Sequence, residues 1–168
     1  MENRQKIKLE LTAIDKVGEF LGWASVVVIW YITISNYNAL PEIIPKHYNI
    51  AGEVDGFGEK SNILILPIIS TIFFIVLSIL NKFPHIFNHP TYITQQNAQK
   101  QYINATRLIR YLKLIIVVIF GFIAFKTIYT ANGKSVGLGS WFLPLLLVLI
   151  FIPLVYSIVK SILAKGNE

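Results

Sequence analysis

The chain has 168 residues, of which 54% are hydrophobic and only 14% charged, with a formal net charge of +6 and no cysteine. Soluble domains carry about 25% charged residues, so a soluble fold of this composition would lack the polar surface to cover itself, and the missing thiols exclude disulfides, thiolate metal sites and thiol nucleophiles. The basic residues cluster beside the ends of apolar runs, which points to anionic lipid headgroups and not to nucleic acid as their partner.

The expected fold is all-α: an integral membrane four-helix bundle with an ordered extracytoplasmic loop between helices 1 and 2, in one membrane domain over residues 1–168. Residues 1–16 are polar and mixed in charge, with Ile7, Leu11 and Ile14 at helical spacing, and read as a short surface helix or a solvated tail. This charged lead and the lack of a small-residue cleavage site argue against a cleavable signal peptide. The first span covers residues 17–36; about 20 residues at about 1.5 Å each match a hydrocarbon core of about 30 Å. Trp30, Tyr31 and Tyr37 mark its far boundary. Glu19, in its first turn, is expected at the interface, because burying a lone carboxylate is expensive.

The second span covers residues 63–80, with Pro67 early enough to cost little. A cytosolic loop follows over residues 82–106, where Pro84 and Pro90 flank His85 and His89; these read as surface histidines and not as a ligand pair. Thr94 is an N-cap candidate, and Ala98, Tyr102, Ala105, Ile109 and Leu112 recur at intervals of three or four. This pattern runs unbroken into the third span, residues 111–129. A helix over residues 94–129 would be about 54 Å long, so it must project, bend or break. Arg107, Arg110 and Lys113 sit where long basic side chains snorkel to headgroups. Residues 130–139 form a glycine-rich turn, and the fourth span, residues 140–162, carries Pro144 near its start and a kinking Pro153.

Eleven Lys and Arg fall on the side of the termini and four, Lys46, Lys60, Lys126 and Lys134, on the other. The positive-inside rule then predicts a multi-pass plasma-membrane protein with both termini cytoplasmic and the loop at residues 38–61 outside. That loop carries Glu42, Glu53, Asp55 and Glu59 against Lys46 and Lys60, an acidic surface suited to cations or basic peptides. Pro41 and Pro45 stiffen it, and Gly52, Gly56 and Gly58 relax its backbone. Asp55-Gly56 is a tight-turn signal, and a short hairpin is expected around residues 46–54.

The stretch LPEIIPKHYNIAGEVDGFGEK, through Pro41, Pro45, His47, Tyr48, Asn49, Gly52, Asp55, Gly56 and Lys60, resembles the signature of the domain of unknown function 1648 (DUF 1648) family. The same module forms the N-terminal part of SdpI-type membrane proteins, and the resemblance implies a role in immunity to, or sensing of, a secreted peptide. The ligand-binding candidates are His47, Asp55, Lys60, Glu42, Asn49, Gly52 and Gly56. His47 and Asp55, joined by Glu42 or Glu53, are also metal-ligand candidates. Alternatively His47 and Asp55 bond the loop or each other and fix its shape, with Lys60 pairing an acidic neighbour.

No HExxH, G-x-S-x-G or phosphate loop is present, so no enzyme activity and no cofactor are expected. Transport has little support, since no span shows a charge near its middle. The partners expected are membrane lipid and a secreted peptide or another membrane protein; Gly18 and Gly22, spaced GxxxG, permit close helix contact within a chain or in a homo-oligomer. The leading reading is a bacterial membrane protein whose outer loop recognises an extracytoplasmic partner. Its alternatives are a metal-binding membrane enzyme or sensor using His47 and Asp55, or a structural subunit of a membrane complex.

Overall fold

The computed structural model describes residues 4–164; the expectations for residues 1–3 and for Lys165 lie outside the described residues. Helix α1 (Ala13–Tyr37) leads into a hairpin of β1 (Ile43–Tyr48) and β2 (Val54–Glu59). A 3-10 turn (Lys60–Leu64) enters α2 (Ile65–Leu80), and α3 (Ala98–Ala131) and α4 (Phe142–Leu163) complete the chain. Four helical segments are long and apolar enough to cross a membrane: Ala13–Tyr37, Lys60–Leu80, Ala98–Ala131 and Phe142–Leu163. The protein is therefore an all-α integral membrane four-helix bundle whose small sheet is confined to the loop between α1 and α2.

α1 begins earlier than the apolar run suggests. Thr12 is its N-cap: its hydroxyl accepts from the Asp15 amide at 3.4 Å, and the Asp15 carboxylate accepts from the Thr12 amide at 3.0 Å. This reciprocal pair satisfies two amide donors that a helix start leaves open, so the helix takes in charged residues before the lipid-facing run. Residues 4–12 carry no regular structure, and Arg4 donates to the Phe87 carbonyl at 2.6 Å, tying the N-terminal segment to the α2–α3 loop.

α3 is 34 residues long and unbroken, about 51 Å by helical rise. Thr94 is not its N-cap as expected: the helix starts at Ala98 with Asn97 as N-cap, and Thr94 and Asn97 instead exchange side-chain-to-amide bonds at 3.0 and 3.2 Å that close the turn ahead of it. α3 is the central helix, packing against α1, α2 and α4, while α4 packs mainly on α3. Val26, Ile29, Leu40, Ile44, Ile63, Phe74, Val117, Ala124 and Ile128 form the core. α4 leaves Phe151, Ile152 and Val155 exposed, as a lipid-facing helix does.

The GxxxG spacing does not join two backbones here. A Cβ on Gly22 would overlap the ring of Phe74, whereas a Cβ on Gly18 would meet nothing within 4 Å. Gly22 thus makes room for an aromatic side chain from α2. His89 is likewise no free surface histidine: half-buried, it lies 5.3 Å from the Tyr102 ring, and its Nε2 donates to the Pro84 carbonyl at 2.9 Å.

Candidate functional site

Two polar constellations stand at opposite ends of the bundle. The first is the hairpin. β1 and β2 run antiparallel, with Ile43 opposite Glu59 and Tyr48 opposite Val54, and the register slips on both sides of His47. The turn lies at Asn49–Glu53 and not at Asp55-Gly56 as the dipeptide suggests: Asn49 donates its amide to the Glu53 carbonyl at 2.9 Å, and Gly52 donates to the Asn49 carbonyl at 2.9 Å. Gly52 supplies the left-handed backbone at φ +76°. Asp55 and Gly56 belong to β2, so the hairpin is longer than residues 46–54.

The loop candidates resolve into pairs. His47 Nδ1 meets Asp55 Oδ1 at 2.5 Å. Lys60 Nζ donates to Glu42 Oε1 at 2.8 Å, and the Lys60 amide donates to the Glu42 carbonyl at 2.9 Å, closing the base of the hairpin. Asn49 Nδ2 donates to Glu53 Oε2 at 3.0 Å and braces the turn. Gly56 stands opposite His47, where an added Cβ would come within 3.1 Å of the His47 Cβ. Among the described residues no group of three or more His, Cys, Asp or Glu side chains converges as a metal site would require. The acidic groups are largely spent on partners within the loop.

The hairpin is fastened to the helices. The Tyr48 hydroxyl bonds Thr127 Oγ1 of α3 at 2.9 Å, and burial raises the Tyr48 pKa above its ordinary value, partly offset by that bond. The Leu138 amide donates to the Gly52 carbonyl at 2.7 Å, and Glu53 and Gly137 form a bridge, so the α3–α4 loop is strapped to the turn. Beneath lies a cleft of about 510 Å³, lined by residues 45–50 of the hairpin, by Ile63 and Leu66, by Ile123 and Thr127 of α3, and by Leu138 and Phe142. Its wall is mainly apolar, and Ile50, at its rim, is 82% exposed.

The second constellation gives Glu19 and the basic residues of α3 partners in one another, which was not expected from the sequence. Asp15 Oδ1 accepts from Arg107 Nε and from Arg110 Nη1, each at 3.3 Å. Glu19 accepts from Arg110 Nε at 3.1 Å and from Lys113 Nζ at 2.6 Å. Lys113 is 1% exposed; it also donates to Ser78 of α2 at 2.8 Å and lies 4.5 Å from the centre of the Phe74 ring. The acids stand four apart on α1 and the bases three apart on α3, so each set shares one helix face. That complementary spacing, together with the Thr-x-x-Asp cap, was the available signal; Glu19 is half-buried beside Arg110 and Lys113, and these partners offset the cost that a lone carboxylate would carry.

Fold and sites together define a multi-pass membrane protein with a hairpin-capped helix bundle. Residues 24–71 match the family model described as Domain of unknown function (DUF1648), so the chain carries that domain over much of α1, the whole hairpin and the start of α2. It is 28% identical over 80 residues to an uncharacterized protein of Archaeoglobus fulgidus, an overlap of 43% of this chain and 44% of the relative, so the match spans less than half of that protein. No solved structure gives a significant match.

Proposed function

We propose that this is a non-enzymatic protein of the bacterial plasma membrane, with both termini cytoplasmic, whose hairpin and cleft receive the apolar part of an extracytoplasmic peptide. The function is SdpI-like immunity or sensing. The observation that carries this reading is the cleft of about 510 Å³ beneath the fastened hairpin. Concave, mainly apolar sites with a few polar groups at the rim are the usual form of a ligand pocket. The His47–Asp55 and Asn49–Glu53 pairs leave polar groups beside it on an ordered loop. The count of Lys and Arg supports the outward orientation.

The test expresses the chain in cells sensitive to secreted amphipathic peptides and measures survival. Replacing Leu66 by Trp fills the cleft, and His47→Ala or Asp55→Ala removes the cross-strand pair. Each variant is expected to reduce protection, the filled cleft by about tenfold or more, equivalent to about 1.4 kcal/mol of binding. Protection undiminished in all three removes the hairpin from the function. Metal analysis separates the alternative of a metal-binding sensor or enzyme: a stoichiometric ion lost in His47→Ala favours it.

A further inference from the structure

A second cavity, of about 540 Å³, opens at the end of the bundle opposite the hairpin, between the N-terminal segment, the start of α1 and the end of α2. Lys8, Lys82, Arg110, Glu19, Asn81 and Trp23 are among the residues that line it. Its charge is unbalanced. The adjoining network sets Asp15 and Glu19 against Arg107, Arg110 and Lys113, two acids against three bases. Lys8 and Lys82 add two more cations, and among the described residues neither has an ion-pair partner; Glu10, close in sequence to Lys8, forms no ion pair either. Apolar side chains of residues 7–11 complete the wall, and low-dielectric walls focus such a surplus of one sign into the cavity.

Phosphate oxygens on a group of net negative charge match the unpaired lysines, and an anionic phospholipid headgroup supplies them. The cavity lies where α2 ends at Leu80 and α1 begins, the level at which a spanning helix meets lipid headgroups.

We propose that this cavity binds the headgroup of an anionic phospholipid, with Lys8 and Lys82 holding the phosphate. The site is separate from the hairpin cleft and does not depend on its function.

The test uses native mass spectrometry of the full chain released from mixed phosphatidylglycerol and phosphatidylcholine membranes. Phosphatidylcholine carries the same phosphate but is neutral overall. Wild type is expected to retain one phosphatidylglycerol in preference to phosphatidylcholine. The Lys8→Gln/Lys82→Gln variant is expected to retain it about tenfold less, since each basic side chain contributes separately to attraction at an anionic surface. A Lys100→Gln/Lys160→Gln variant, altered on the same side but away from the cavity, is expected to match wild type. Equal retention of the two lipids, no loss in the Lys8/Lys82 variant, or the same loss in the control pair would overturn the proposal. Inorganic phosphate that displaces the lipid from wild type at millimolar concentration would overturn the assignment to a lipid.

Discussion

Lys113 is the residue most exposed to loss by mutation, because its ammonium is 1% exposed and held by Glu19, Ser78 and the Phe74 ring. Removing one member of a buried pair leaves the other uncompensated, so Lys113→Ala is expected to lower stability by about 3 kcal/mol, read by thermal unfolding in detergent. A Lys113→Met/Glu19→Gln double variant should recover part of that loss, since no unpaired charge remains. Gly22→Val drives a side chain into the Phe74 ring and is expected to cost about 1–3 kcal/mol by overpacking, while Gly18→Val, facing open space, should cost far less. His89 gives a pH dependence: burial first, then the nearby Arg4, pulls its pKa down, while the bond to the Pro84 carbonyl opposes the shift. The unfolded chain therefore takes up the proton first, so the contribution of neutral His89 is complete above about pH 6.5 and declines as pH falls through the lower folded value. A midpoint temperature that drops below that pH in wild type, and less in His89→Gln, is the expected result.

At the scale of elements, the hairpin owes its shape to connections that a strand pattern does not reveal. Asp55-Gly56 has the composition of a tight turn, yet Asp55 is taken by His47 across the strands and the reversal falls at Asn49–Glu53, where Gly52 supplies φ +76°. A Cβ at Gly52 would also strike the backbone of Gly139, so Gly52→Ala is expected to loosen the strap between the turn and the α3–α4 loop. Faster amide exchange at Leu138, whose amide donates to the Gly52 carbonyl, reports it. The long α3 was legible from its period, a local signal, while its start at Ala98 falls four residues past the Thr94 cap candidate. The early start of α1 was missed because hydropathy locates the lipid-facing run, whereas the helix begins at the cap formed by Thr12 and Asp15.

The whole molecule places its two polar constellations at opposite ends of one apolar bundle, with α3 touching both: Thr127 anchors the hairpin, and Arg107, Arg110 and Lys113 bind the α1 acids. The topology is testable because the chain has no native cysteine. Ile50→Cys, 82% exposed on the hairpin, is expected to react with a membrane-impermeant maleimide added outside intact cells, and Asn88→Cys, exposed in the α2–α3 loop, only after the membrane is opened. The reverse pattern would put the cleft on the cytoplasmic side and end the proposed encounter with a secreted peptide.

The number of helices, their approximate bounds and the special character of residues 38–61 were determined by the sequence alone. Apolar length and turn composition are properties of the chain read along one dimension, and lipid leaves few conformations for a long apolar run. Tertiary structure decided which charges meet. Asp15 and Glu19 are more than 85 positions from Arg107, Arg110 and Lys113 in sequence, and only the packing of α1 on α3 turns five expensive charges into a shared network. The cleft beneath the hairpin has the same origin, since its walls come from four separate stretches that are brought together only when the bundle closes.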